Sequence, residues 1–396
     1  MQKLEKRQIG PHCIFACLYF LLLPTTIAVN SAGNSILKLA TIPIGGFFLL
    51  TIFLSKRKLH INCVHLALLL YTLYAISALF VDASSTSVVT VIGYILNAAI
   101  YICLTVIPYN REELDLMENV QILLLIVLNM MTLLSNATED DRTTIMIMGQ
   151  TCDPNYFVGF FIFPLTVALK KLVSGKYSLF YLLLIGVSLY SVFLSGSRGG
   201  FLAIAVTIAG FALLYPSKSA NRFVFLVGGF VLLMGTWVIL KPVLPENIVE
   251  RMNVESVIET GGTGRIAIWK SMIQAIVKEP DKLLFGRGIN TFHGFLSGRT
   301  WHATGAHNQI LQIIYNQGLV GLMSFLMLTG ISFFRCITRR KTVSIAIIGM
   351  LALSVSLSFN PTIRTFWNLI AYAAFIFPDS DTNTLNNGGL SDNERT

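Results

Sequence analysis

FVFLVGGFVLLMGTWVIL, from Phe223 to Leu240, runs eighteen residues without a charged side chain. Wound as a helix at 1.5 Å per residue it is about 27 Å long, close to the thickness of a bilayer's hydrocarbon core. Runs of this kind recur along the chain, near 13–29, 36–54, 63–82, 87–107, 120–135, 156–172, 178–195, 200–215, 223–240, 308–334, 343–359 and 365–377. The last of these is short for a span. With 54% hydrophobic residues and only 12% charged, the 396-residue chain has too little charge to cover the surface of a soluble protein. A mean hydropathy of +0.69 agrees. Continuous apolar runs also exclude an outer-membrane barrel, whose strands alternate apolar and polar residues. The sequence therefore predicts an all-α, polytopic membrane protein of about 12 transmembrane helices.

Cationic residues orient these helices. With the amino terminus cytoplasmic, the inner segments hold Lys3, Lys6 and Arg7; Lys56, Arg57 and Lys58; Arg111; Lys170, Lys171 and Lys176; Lys218 and Arg222; and Arg335, Arg339, Arg340 and Lys341. The short outer connections hold few: Lys38 at a helix end, Arg142, Arg198 and Arg364. Both termini are then cytoplasmic. The net charge of +9 is mostly this topological bias, and no nucleic-acid partner is read from it. The basic leader MQKLEKRQIGPH also has the form of a signal-peptide start, with a weakly marked cleavage region at Ala28 to Ala32. Cleavage there would leave the later helices oriented as before.

Residues 1–377 are expected to form one transmembrane domain, and 378–396, rich in Asn and Gly, a disordered cytoplasmic tail. Two outer segments are long, 136–155 and, between the ninth and tenth spans, 241–306. Within the second, Ile266, Trp269, Met272, Ile273, Ile276 and Val277 recur at helical spacing, which predicts an amphipathic helix near 264–279 with Thr263 as N-cap and Pro280 as its stop. Such a helix lies on the membrane with Trp269 at headgroup level, or packs on the bundle as a lid. Six cysteines are scattered, with Cys152 alone in an outer segment, so no structural disulfide is expected.

Three polar positions stand out at the outer ends of helices. Arg198, in FLSGSRGGFLA, occupies a tight glycine-rich turn and opposes the charge bias of the other short connections. A snorkelling arginine at lipid headgroups is the simpler reading of it alone. Arg265, in GTGRIAIW, opens the amphipathic helix, and His307, in TGAHNQILQIIYNQGLVGL, opens the tenth span. Singly, a solvated arginine and a capping histidine would need no further explanation. Arg287, between Gly286 and Gly288, meets an anion or is solvated.

The order SGSRGG, GRIAIW, FGRGINTF, AHNQILQIIYNQGLVGL, over about two-fifths of the chain from DPNYF at 153–157 to GLVGL at 318–322, resembles the O-antigen ligase and O-antigen polymerase family of bacterial surface-polysaccharide glycosyltransferases. The resemblance implies a C-type glycosyltransferase-like fold with its site at the outer surface of the inner membrane. It implies a glycan donor on undecaprenyl diphosphate, a glycan acceptor, and a polysaccharide chain-length regulator as a further partner. It implies functional roles for Arg198, Arg265 and His307, and lesser family positions at Asp153, Asn155, Gly286 and Gly288.

The chemistry is coherent on its own terms. Guanidinium forks match phosphate oxygens bidentately, so two arginines suit a diphosphate leaving group with no metal and no cofactor. A histidine neutral near pH 7 suits removal of the acceptor hydroxyl proton. Asn308 and Gln312, four residues apart on one helix face, are then candidates to hold the sugar or the ring. Polymerase is placed ahead of ligase, which would join the glycan to lipid A core or another envelope acceptor. A lipid-linked oligosaccharide flippase is the alternative from another class, disfavoured because the helix interiors hold only isolated polar groups such as His65, Asn97 and Asn129. A metal site built from His293, His302 and His307 lacks an acidic partner at ligand spacing.

Overall fold

The computed structural model describes residues 9–26, 36–54, 59–135, 137–139, 142–147, 150–173, 177–215, 219–253, 264–289, 291, 292, 295, 306–339 and 341–356. In chain order these give α1 (Pro11–Leu22), α2 (Ile36–Leu54), α3 (Cys63–Ser77), α4 (Ser85–Thr105) and α5 (Arg111–Leu133). After four short strands come α6 (Pro154–Val173), α7 (Ser178–Leu194), α8 (Arg198–Leu214) and α9 (Ser219–Leu240). Then follow α10 (Glu246–Arg251), α11 (Arg265–Lys278), α12 (Gln309–Arg339) and α13 (Lys341–Ser356). Among the described residues, six stretches are long and apolar enough to cross a membrane: Cys63–Phe80, Ser85–Thr105, Arg111–Leu133, Pro154–Val173, Phe223–Val243 and Gln309–Ile337. The expected span at 365–377 and the tail at 378–396 lie outside the described residues.

The surface shows what solvent the sequence is suited to. Phe53, Phe80, Phe223 and Ile239 are exposed, whereas Gln121, Asn129, Ser188, Ser191 and Thr207 are buried. That inversion fits a bilayer, where apolar side chains need no shelter and polar ones must find partners inside. Asn129 on α5 does so across the helix interface: its Nδ2 donates to Ser188 Oγ at 2.9 Å and its Oδ1 accepts from Ser191 Oγ at 2.8 Å. The middle of the bundle is α6, whose Phe157, Phe161, Ile162 and Phe163 are buried and which packs on α5, α7, α8 and α13. Helix starts are set by polar caps. Asn110 and Glu113 form a capping box on α5, and Glu113 also accepts the Gly10 N–H at 2.8 Å, tying the start of α1 to that of α5.

Two findings depart from the sequence reading. The segment 136–155, read only as a long outer segment, contains two small antiparallel hairpins, β1 (Thr138–Glu139) with β2 (Arg142–Thr143) and β3 (Met146–Ile147) with β4 (Gln150–Thr151). Each hairpin is extended at its base by one further bond, Thr144 N–H on the Ala137 carbonyl in the first and Cys152 N–H on the Ile145 carbonyl in the second, both at 3.0 Å. The second departure is larger. The run read as one span at 308–334 belongs to a longer helix that is broken at Gly318, where φ is 68° and ψ −168°.

A broken helix strands carbonyls and N–H groups that lipid cannot satisfy, so such breaks persist only where protein meets them. Here the segment 283–288 does. The carbonyls of Tyr315 and Asn316 accept Arg287 N–H, each at 3.2 Å, and Asn316 also accepts Gly288 N–H at 3.0 Å. In return Leu319 N–H donates to Leu283 O at 2.9 Å and Val320 N–H to Leu284 O at 3.1 Å. The approach is too close for side chains: a Cβ on Gly286 would lie 2.3 Å from the Asn316 carbonyl oxygen, and one on Gly318 2.4 Å from that of Leu284. Both glycines also sit at positive φ, 82° and 68°.

Candidate functional site

Arg198 is placed by a turn that several distant residues grip. Helix α7 ends at Leu194 with Ser195 as its C-cap, the chain passes through Gly196 at φ 56°, and Ser197 caps α8 by accepting the Gly200 N–H at 3.0 Å. The Ser197 hydroxyl donates to Asn155 Oδ1 at 2.8 Å, and Asn155 donates from both its N–H and its amide to Asp153 Oδ1, each at 2.7 Å. Asp153 and Asn155 therefore brace the start of α8. From the other side Arg198 Nε donates to the Arg251 carbonyl, while Arg251 Nε donates to the Gly196 carbonyl at 3.2 Å. This reciprocal pair locks α10 onto the turn.

Arg265 opens α11, whose Ile268, Met272 and Ile276 are buried against Phe292, Ala306 and Tyr315. This face packs on protein, leaving Ile266, Ile273 and Val277 on the exposed side. Thr263 lies outside the described residues, and Gly264, at φ 80°, stands at the N-cap. Trp269 is one turn beyond Arg265 on the same face. Its indole N–H donates to the Ala306 carbonyl at 2.9 Å, so it anchors the residue before His307.

His307 has φ 50°, a left-handed conformation that costs a side chain bearing Cβ about 1–2 kcal/mol. Asn308, 9% exposed, follows as the cap of α12, its Oδ1 accepting Leu311 N–H at 3.1 Å. That bond occupies part of the amide assigned to substrate from sequence. Gln312 is 1% exposed, and its Oε1 meets no hydrogen-bond partner among the described residues.

The charges of these groups act on one another. Burial holds the Arg265 guanidinium below the ordinary arginine range, Asp153 opposes that, and the positive charges of Arg142 and Arg198 add to it. Burial also lowers the His307 imidazole below its ordinary value, Arg265 lowers it further, and Asp153 opposes. Arg198, Arg265, His307 and Asp153, drawn from four separate stretches of chain, therefore share one electrostatic neighbourhood. Arg142 joins them. It is 5% exposed and packs so closely on the turn that a Cβ on Gly196 would lie 3.2 Å from its Cγ. The sequence marked Arg142 only as one of the few outer cations, the same mark that singled out Arg198.

Arg287 is not part of this group. Its Nη2 donates to the Ala275 carbonyl at 2.8 Å, its Nε lies 3.3 Å from Glu279 Oε2, and its guanidinium carbon stands 4.6 Å over the Tyr315 ring. Those contacts bind the 283–288 segment to α11 and α12, while the buried Nη1 of Arg287 meets no hydrogen-bond partner among the described residues. His293 and His302 lie outside the described residues.

An excess of guanidinium over carboxylate beside a neutral imidazole suits an anionic leaving group and a hydroxyl nucleophile. Residues 182–326 match the family model described as O-antigen ligase, a stretch that runs from α7 into α12 and includes Arg198, Arg265 and His307. No curated protein matches the chain. The match supports glycan transfer at a membrane, in O-antigen and polysaccharide biosynthesis, as the general activity. It supports assigning the chain to the O-antigen ligase and polymerase family.

Proposed function

We propose that the protein transfers a glycan from a polyprenyl-diphosphate donor to a sugar hydroxyl at the extracytoplasmic face of the bacterial inner membrane. The observation that carries this reading is the shared neighbourhood of Arg198, Arg265, Asp153 and His307. The acceptor oxygen attacks the anomeric carbon as its proton passes to His307. The bond from that carbon to the diphosphate breaks, and the electron pair leaves with the polyprenyl diphosphate. Arg198 and Arg265 stabilise the leaving charge without a metal, and Asp153 keeps the two guanidiniums tolerable side by side before the donor arrives. Both termini are cytoplasmic in this reading, and the 241–306 segment faces outward. The acceptor is a second lipid-linked repeat, which makes the protein a polymerase ahead of a ligase. A polysaccharide chain-length regulator would be a natural partner for such an enzyme.

The test separates binding from chemistry. His307→Ala is expected to retain binding of a lipid-diphosphate glycan while transfer falls by about 10²–10⁴. Arg265→Lys is expected to lose donor binding, because a point charge does not reproduce a bidentate fork. Wild-type transfer by His307→Ala would end the role of general base. Parallel loss of donor binding would recast His307 as a residue that positions the donor.

A further inference from the structure

The outer half of α12, before the break at Gly318, carries three amides on one face. Gln309, Gln312 and Asn316 stand at i, i+3 and i+7, with 1%, 1% and 6% of their surface exposed. Gln309 Oε1 and Nε2, Gln312 Oε1 and Asn316 Oδ1 meet no hydrogen-bond partner among the described residues. The neighbouring faces of the same helix are fully engaged. On one side Ile313 joins the main core and Gln317 bonds Tyr71 and Tyr94; on the other, Leu311, Ile314 and Tyr315 pack with the α11 cluster.

An amide buried without a partner gives up its bonds to water and gains none in return, so three in a row are expensive to keep for the fold alone. Leucine would fill the same volume at no such cost. The remaining orphaned amides, Asn97 on α4 and Gln121 on α5, stand on helices that give no residue to the cationic group. The α12 row instead begins two residues after His307 and runs about 10 Å along the helix. It is fixed at its far end, where the Asn316 carbonyl accepts two N–H groups of the 283–288 segment. Neutral amides that both donate and accept match sugar hydroxyls, while the guanidiniums nearby match phosphate.

We infer that the Gln309, Gln312 and Asn316 face of α12 binds the acceptor saccharide through its hydroxyls and directs one of them to His307, an assignment that rests on the glycan-transfer reading. It divides the substrates by chemistry: the diphosphate to the arginines, the acceptor to the amides.

The test uses full-length protein in lipid nanodiscs, with Gln312→Leu and Asn316→Leu made singly. Measurements are the thermal midpoint, binding of a polyprenyl-diphosphate oligosaccharide, and the KM for two acceptor probes, a lipid-linked repeat oligosaccharide and a lipid A core oligosaccharide. Expected is an unchanged or raised midpoint, unchanged donor binding, and a KM raised about tenfold for whichever probe the wild type uses. A purely structural amide gives the opposite signs. A midpoint that drops with activity, or an acceptor KM within twofold of wild type, would overturn the assignment while leaving glycan transfer standing. Failure of the wild type to transfer to either probe, despite intact donor binding, would remove the glycan-transfer reading and this assignment with it.

Discussion

His307 combines two properties that a residue kept only for packing would shed: a left-handed backbone and a partly buried, destabilised charge. Its environment sets the sign of a pH effect. In the proposed reading transfer needs the neutral imidazole, and the folded protein lowers its pKa, first by burial and then through Arg265. The acid limb of the rate should therefore fall at a pH below the ordinary histidine value of about 6.5. Asp153 works against that lowering, so Asp153→Asn is expected to move the limb to still lower pH. A rate profile of wild type and variant with fixed donor and acceptor checks this. An acid limb that moves upward in Asp153→Asn would show that the titrating group is not His307.

At the scale of elements, α11 holds the site's parts at one spacing. Arg265 and Trp269 share a face, and the indole's bond to Ala306 sets where His307 stands relative to the guanidinium. Trp269→Phe keeps most of the packing and removes that bond. We expect transfer to fall about tenfold or more, as one neutral hydrogen bond and the position it fixes are lost, with donor binding nearly unchanged. The break in α12 is the second element-scale device. Gly286→Ala places a methyl 2.3 Å from the Asn316 carbonyl oxygen, so the 283–288 segment must leave the break and strand its backbone groups. The expected cost is about 1–3 kcal/mol, read as a lower thermal midpoint together with lost transfer. A Gly286→Ala protein of wild-type midpoint would mean that the break is satisfied in another way.

For the whole molecule, an apolar exterior around a mainly apolar core, with polar groups such as Asn129 paired inside, fits a bundle built for lipid, and the cationic residues predict its orientation. In a cysteine-free variant, Lys282→Cys is expected to react with a membrane-impermeant maleimide in intact cells, after outer-membrane permeabilisation where there is one. Arg339→Cys is expected to react only after the inner membrane is opened. The reverse pattern would invert the topology and put the site in the cytoplasm.

The sequence by itself determined that this is a helical membrane protein and which residue types were out of place in it. Hydropathy is a sum over adjacent residues, and a cation or histidine at the end of an apolar run is visible without knowing what it touches. For that reason Arg198, Arg265 and His307 could be singled out, as could Arg287, whose contacts could not be read. Its engagement with Glu279, Ala275 and Tyr315 depends on contacts that no local pattern encodes. Only the tertiary structure brought Arg142 to the turn of Arg198, set Trp269 against Ala306, and showed Asp153 and Asn155 bracing α8. The break at Gly318 was equally hidden. A glycine inside an apolar run is compatible with an unbroken helix, and what decides otherwise is a segment thirty residues earlier that supplies the hydrogen bonds the break requires.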